Sequence, residues 1–379
     1  MRTTTAAQLI GLKARNRKEL VRVKVANSAA ALVDMTGSFV GATFTGSLDA
    51  MAVSGSVTFW REQATGSLAP LMNSPAPIAP GRQLTFEVAI IGTADSVGAG
   101  DWVMLFDGLI DDVGWGGSES QITVPVRDRA GVLRDTWIET LANYGAATPG
   151  TAMATVMQSV LDDTLGTAVV TLNVVGDPDF GILLYEQQRQ SLADALGAHR
   201  DLIGWDLRYL WDDTSSDFLL TFYEPDRLKA APDHTFTADD YFDLTEITQT
   251  GMGVRNVIEV RYADDVSVTA EDPVSIAVFG RRYMFLDFIN NNQIATEAAA
   301  LVLATAILGD TSQPPLTHVT ENALFWPVEL GDLYQFEPNE VHYGAIQQVA
   351  VTGYQHTFGP DGNTTSLQCR GAPSGGTAR

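Results

Sequence analysis

Gly100 to Arg129 reads GDWVMLFDGLIDDVGWGGSESQITVPVRDR, and Gly331 to Gly371 reads GDLYQFEPNEVHYGAIQQVAVTGYQHTFGPDGNTTSLQCRG. Each run passes through a Gly-Asp turn, an apolar strand, a Gly-led second strand, a glycine-containing reversal and an alternating closing strand. Alternation at period two between such turns marks strands with one buried face. The shared order predicts a duplicated β-barrel unit, one copy early in the chain and one at its end. Two similar barrels in one chain would let a ring of three subunits present six near-equivalent faces.

Outward from the first run, residues 18 to 135 read as all-β. KELVRVKVAN places Leu20, Val21, Val23 and Val25 among charges, and FVGATFTG, VSGSVTFWRE and LTFEVAIIG follow between Gly, Pro and Asp turns. The stretch SLAPLMNSPAPIAPGRQ holds four prolines, which rules out regular structure and predicts an exposed loop. At Thr148 the period changes. Thr148 as N-cap and Pro149 in the first turn open a helix whose Met153, Val156, Met157, Val160 and Leu161 share a face before Gly166.

A second helix follows, with Ser191 and Asp194 as a capping box in which Asp replaces Glu, and Leu192, Ala195, Leu196, His199 and Ile203 on one face. GWDLRYLW, a DDTSSD turn and DFLLTFYEP then predict a hairpin. VRNVIEVRYADD resumes the alternation, and Ala295 to Leu308 is an apolar segment predicted to be a helix packed on several sides. The predicted fold is mainly β with α+β insertions: two similar β-barrel domains plus smaller α+β domains. Residues 1–139 form the first barrel, 140–238 the inserted α+β domain of two helices and a hairpin, and 239–379 the second barrel, with an inserted helix near 295–308. The tail SGGTAR is expected to be a flexible end.

A chain of 379 residues with 45% apolar content can bury large cores. The basic residues near its start follow only a short apolar stretch, the reverse of a secretory signal, and no apolar run reaches membrane-spanning length. The expectation is synthesis in a cytoplasm, with no membrane anchor. Cys369 is the single cysteine, so no intrachain disulfide forms and a buried strand position is expected for it.

The net charge is −23, unevenly spread. Residues 1 to 25 carry seven basic residues (Arg2, Lys13, Arg15, Arg17, Lys18, Arg22, Lys24) against Glu19, a net +6, which leaves −29 on the remainder. Such a field repels nucleic acid and excludes a DNA-reading role, while suiting a channel wall past which DNA slides. The plain alternative is solubility. Arg15, Arg17 and Lys18 are candidate contacts to an acidic neighbour, with a solvated strand face as the default reading.

Several chemistries lack their residues. There is no Walker loop, and GMGVRN at Gly251 lacks the third glycine and opens a strand, not a helix. His199, His234, His318, His342 and His356 show no paired zinc spacing; His199 reads as a half-buried helix residue and His356 as a strand surface residue. No G-x-S-x-G elbow is present. The acidic pairs Asp111–Asp112, Asp212–Asp213, Asp239–Asp240 and Asp264–Asp265 are adjacent and fall mostly in turns, where Asp bonds nearby N–H groups. Neighbours on a strand point to opposite faces, so such pairs suit neither glycosidase catalysis nor a calcium loop. No cofactor or metal is expected, and no catalytic residue. Trp205, Tyr209 and Trp211 alternate on one predicted strand, so Trp205 and Trp211 are candidate glycan or protein contacts; the other reading is that they cover the two helices.

FDGLIDDV with ITVPVRDRAGVLRD, SLADALGAHRDLIGWDLRYLWDD, GVRNVIEVRY, and the LGDLYQF to TTSLQCRG ending together resemble the baseplate hub, or tail hub, proteins of tailed bacteriophages and contractile injection systems. The likeness runs along most of the chain, on motifs that are loose and not catalytic. It implies two tube-like barrels flanked by smaller α+β domains in a homotrimer. That trimer joins the sixfold tail tube, or a distal tail protein, to a threefold central spike or fibre, with a tape measure protein as a further neighbour. DNA passes through its channel without specific binding, and the protein resides in the virion tail tip or baseplate. Some hubs carry a fused lytic domain, for which this chain leaves no room. A tail-associated glycan hydrolase and a carbohydrate-binding distal tail module are the alternatives from other classes.

Overall fold

Where the sequence alternates, the chain is extended and every second side chain is buried: along Gln121–Asp128 the inward residues are Ile122, Val124 and Val126. The computed structural model describes residues 12, 18–27, 29–48, 50–60, 62–63, 66–67, 78–91, 102–113, 121–145, 151–167, 169–176, 180–182, 184–203, 205–212, 214–224, 231–237, 242–249, 253–288, 294, 296–312, 316–336 and 347–371. Most of the proline-rich stretch, Thr148, Pro149, Gly251, Asp239–Asp240 and the 374–379 tail lie outside the described residues. The helix expected to open at Thr148–Pro149 instead begins at Met153, because Thr151 and Ala152 are extended and pair with Ile182 and Gly181.

The early strands are β1 (Lys18–Ala26), β2 (Leu32–Asp34), β3 (Phe39–Ser47), β4 (Ser54–Trp60), β5 (Gln83–Ile91), β6 (Val103–Ile110) and β7 (Gln121–Asp128). A short helix, α1 (Ala130–Asp135), leads to α2 (Met153–Leu165), β8 (Asn173–Val175), α3 (Leu192–Ile203), β9 (Asp206–Asp212) and β10 (Asp217–Tyr223). Then come β11 (His234–Phe236), β12 (Phe242–Gln249), β13 (Val257–Ala263), β14 (Val266–Glu271), α4 (Pro273–Phe279), β15 (Tyr283–Asp287) and α5 (Glu297–Thr311). The last strands are β16 (Leu316–Ala323), β17 (Leu333–Phe336), β18 (Gln347–Phe358) and β19 (Thr364–Gly371).

Early and late strands lie in one 13-stranded sheet, ordered β12-β16-β19-β18-β3-β4-β7-β6-β5-β1-β2, with β17 on β18 and β11 on β17. The seam between the halves is the antiparallel pair β3–β18, with Ala42 opposite Phe358 and Phe44 opposite His356. Two separate barrels were expected. Instead, among the described residues no sheet closes on itself. The late half gives its strand β18 to β3 of the early half, so each half finishes its hydrogen bonding on the other. The two quoted runs also differ in detail. The first makes two strands, because β6 passes unbroken through Gly108, whereas the second makes three, β17, β18 and β19. Asp107–Gly108 is no turn: a Cβ on Gly108 would lie 2.1 Å from the Arg127 carbonyl oxygen, so the glycine lets β6 and β7 approach.

Beneath the sheet, four phenylalanines from both halves interlock: Phe44 lies 4.8 Å from Phe86 and 4.7 Å from Phe106, and Phe86 lies 4.6 Å from Phe358. All four are 2% exposed or less, and burying each side chain stabilises by about 1.5–3 kcal/mol. Leu367 and Cys369 join this core from β19, and burial pushes the Cys369 thiol up. The Gly331–Asp332 turn is built as its sequence implies. Gly331 has φ 87°, and the Asp332 carboxylate accepts hydrogen bonds from Glu329 N at 2.7 Å and Tyr334 OH at 2.9 Å.

A second core forms from α2, α3, the three-stranded sheet β8-β10-β9, the sheet β14-β13-β15 and α5. The expected inward faces of α2 and α3 are buried, and Ser191 Oγ accepts from Asp194 N, the first half of the expected capping box; the Asp194 carboxylate accepts from the Ser191 hydroxyl, where a capping box would use the Ser191 backbone N–H. Helix α5 covers the region expected near 295–308, but it buries one side, through Ala300, Leu303 and Ala304, and leaves Leu301 and Val302 exposed. It packs on β13 and β14, a sheet that covers only one helix face. His199 is fully buried, not half-buried, with Nδ1 at 2.8 Å from Ala195 O. His356 is buried as well, against Thr365 Oγ1 at 3.0 Å, because it shares the inward face of β18 with Phe358 of the large core, while Gln355 and Thr357 face outward. No helix among the described residues is long and apolar enough to cross a membrane.

Gly108→Ala should destabilise the protein by about 1–3 kcal/mol through overpacking of the β6–β7 contact. Thermal unfolding of the variant checks this, and an unchanged midpoint would contradict the close approach.

Candidate functional site

The two cores meet along β9 and β10, whose alternating side chains face in two directions. Leu207, Leu220 and Phe222 point into the second core. On the other face, Asp206 and Arg208 are 6% and 4% exposed and meet the large sheet. Arg208 is the pin of this junction: its guanidinium donates to Ala50 O at 2.9 Å, Leu48 O at 3.0 Å and Ser47 O at 3.2 Å. Those carbonyls belong to the connection between β3 and β4, the strands next to the seam.

Asp128, at the end of β7, holds the same connection from the other side. Its carboxylate accepts from Val53 N at 2.9 Å and from Ala130 N at 3.0 Å, and its own N–H donates to Val53 O at 2.9 Å. Burial pushes this carboxyl up to about 7, against the backbone N–H groups of Val53, Ala130 and Gly131 and the charge of Arg208, which favour the ionised form. A second tie runs through Arg129, which bonds Asp107 on β6 and lies 3.6 Å from Asp217 on β10. Arg127 clamps Asp111 at 2.6 Å and Asp135 of α1 at 2.7 Å, and its hydrogen bonds to Asp135 and then Asp111 raise its pKa.

Between these ties lies a cleft of about 570 Å³, counting its open mouth, with an apolar floor that includes Met51, Leu105, Leu210, Phe218, Val328 and Tyr354. Its Asp107 and Asp128 carboxylates are engaged by Gln83 with Arg129 and by backbone N–H groups respectively. Chemically the arrangement fixes two packed bodies against each other. Among the described residues, no group of three or more His, Cys, Asp or Glu side chains converges as a metal site.

The sequence-derived candidates fall elsewhere. Arg15 and Arg17 lie outside the described residues, and Lys18 is exposed at the start of β1, opposite Ile91. Trp205 is 8% exposed and packs 4.9 Å from Phe222 in the second core, so it covers the helices and offers no surface to a glycan. Trp211 is partly exposed and packs edge-on at 5.3 Å from Phe218 across the hairpin. The structure thus places Lys18 on the large sheet and both tryptophans on the other body. The described acidic pairs behave as turn residues: Asp112 Oδ1 accepts from Val113 N, Asp212 Oδ2 from Ser215 N, and Asp265 has φ 56°. Arg208, Asp128 and Arg129 were not singled out from sequence. A charge inside an alternating strand reads as solvent-facing, and only tertiary packing turns that face inward.

No protein-family model matches this sequence, and no curated protein matches it. Solved structures do match. The chain is similar to the tail protein of Neisseria meningitidis MC58, at 15% identity over 92% of this chain and 96% of that one, with TM-score 0.64. It is similar to the 43 kDa tail protein of prophage MuSo2 from Shewanella oneidensis, at 13% identity over 92% and 97%, TM-score 0.59. It is also similar to the Escherichia coli c3393 protein, at 9% identity over 89% and 74%, TM-score 0.53. That protein is described as a component of the type VI secretion system with structural similarity to the T4 bacteriophage tail proteins gp27 and gp5. At these identities the likeness is one of fold: the chain has the fold of phage tail and secretion-system tail-like proteins.

Two measurements test the junction. Arg208→Met keeps the aliphatic stem but leaves Asp206 without its counter-charge, and should lower stability by about 3–5 kcal/mol in chemical unfolding. The folded state holds the Asp128 proton more tightly than the unfolded chain, whose carboxyl titrates near 3.8. The contribution of Asp128 to stability therefore falls as pH rises from 3.8 to about 7 and is level above that. Subtracting the melting profile of Asp128→Asn from that of the wild type should leave this downward slope; a flat difference contradicts it.

Proposed function

We propose that this protein is a structural hub of a phage tail, a homotrimeric adapter that joins a sixfold tail tube to a threefold central spike or fibre. The observation that carries the reading is the single sheet shared by the two ends of the chain. Strands from 18–128 and from 242–371 stand side by side, and among the described residues its outermost strands, β2 and β12, each pair on one side only. A sheet to which both ends of the chain contribute, repeated around a threefold axis, would offer two strand-rich faces per subunit, six in all, to a sixfold partner. The tail-protein fold supports the same role.

In this reading, regions 1–139 and 239–379 supply the tube-facing sheet. Region 140–238, with 257–311 packed on it, supplies the body that grips the spike. Tail tube or distal tail protein, the spike and a tape measure protein are its neighbours, and it resides in the virion tail after synthesis in the host cytoplasm. The net charge of −23 suits a bore that DNA crosses without adhering. The work is done by interfaces, and no catalytic step is assigned to the chain.

Mass measurement of the purified protein, alone and with tube and spike subunits, should give particles of about 120 kDa or larger assemblies containing three copies of the 40.7 kDa chain. Images down the axis should have threefold symmetry with six outer lobes. A chain that stays monomeric alone and in the mixture overturns the reading.

A further inference from the structure

The junction between the cores holds three buried polar atoms that find no hydrogen-bond partner among the described residues: Asp206 Oδ2, Arg208 Nε and the Tyr223 hydroxyl. They belong to one site. Asp206 and Tyr223 are directly opposed in the β9–β10 ladder, and Arg208 lies two residues along on the same face, with Nη2 3.7 Å from Asp206 Oδ1. The other nitrogens of Arg208 are committed to the carbonyls of Ser47, Leu48 and Ala50. Asp206 and Arg208 are each more than nine-tenths buried, so bulk water does not serve these atoms. An unpaired buried donor or acceptor costs about 1–3 kcal/mol, and three in one place exceed what native interiors ordinarily tolerate.

The chemistry of the trio selects its ligand. A cation would face the Arg208 guanidinium and an anion would face the Asp206 carboxylate, so a neutral molecule fits. Oδ2 only accepts, Nε–H only donates and the phenol does either. One molecule with two donors and two acceptors satisfies all three. Burial pushes the Tyr223 phenol up, which keeps its proton in place as a donor.

We propose that Asp206, Arg208 and Tyr223 hold an ordered internal water that completes the polar latch between the two cores. The water donates to Asp206 Oδ2 and accepts from Arg208 Nε–H and from Tyr223 O–H. Through Arg208 it is linked to the β3–β4 connection, and so to the strand at the seam of the large sheet. A bridging water preserves the bonds of the latch while allowing the two bodies small adjustments that a direct contact would forbid.

A crystal structure of the full chain, at a resolution that places solvent, tests the site directly. The expected result is one density peak at about 2.7–3.2 Å from all three atoms. Direct bonding of Tyr223 to Asp206 with no peak, or a peak with the short multiple contacts of an ion, overturns the proposal. Oxygen-17 relaxation dispersion in solution gives an independent reading. The wild type should hold a long-lived water whose signal falls by one molecule in Asp206→Leu/Tyr223→Phe, while Tyr223→Phe alone shortens its residence time. Equal dispersion in all three proteins sinks the idea.

Discussion

The antiparallel contact of β3 with β18 is the constraint on which the rest of the structure depends. It ties residues 39–47 to residues 347–358, and its inner face delivers Phe358 into a cluster with Phe44, Phe86 and Phe106. Without that seam, β3 and β18 would each present a bare edge, and two incomplete apolar faces would stand open to water. With it, a single sheet runs through both ends of the chain. The chain must then leave the sheet after β7, return at β11 and β12, and leave again before β16, and the helices and small sheets of these two excursions form a body of their own.

That body is not attached by apolar packing alone. Arg208 reaches three carbonyls beside the seam, Asp128 binds the same connection from beneath, and Arg129 spans from Asp107 toward Asp217. Charged groups at such depth contribute specificity of orientation more than stability, since desolvation offsets much of their attraction. The proposed role, passing contact from a tube to a spike, calls for a fixed angle between the two bodies. Hydrogen bonds with set directions define such an angle better than interchangeable apolar contacts do.

Much of the local structure was legible in the residues. Met153, Val156, Met157, Val160 and Leu161 repeat at helical spacing and are all buried, and Ser191 caps the Asp194 N–H as expected. The hairpin of β9 and β10 and the buried Cys369 were equally readable. Other features were not. Gly108 reads as the start of a second strand, yet β6 runs straight through it, and the missing side chain is needed for the approach of Arg127 O. His356 reads as a surface residue and is buried, because its side of β18 is the one that carries Phe358 into the core. The candidate site was the least legible part: Arg208 in DLRYLW has the pattern of an outward charge.

By itself, the sequence determined the elements of this protein, because period and turn chemistry act between residues a few positions apart. It determined also the mainly β class with a helical insertion, the concentration of positive charge near the start, and the likeness to tail hubs carried by motifs along the chain. Tertiary structure alone decided that the early and late strands merge into one open sheet, that only one face of α5 is covered, and that Arg208 turns inward as a latch. Those outcomes depend on which strand edges meet and which faces are covered. Such matters are settled by contacts between residues hundreds of positions apart, and local pattern carries no record of them.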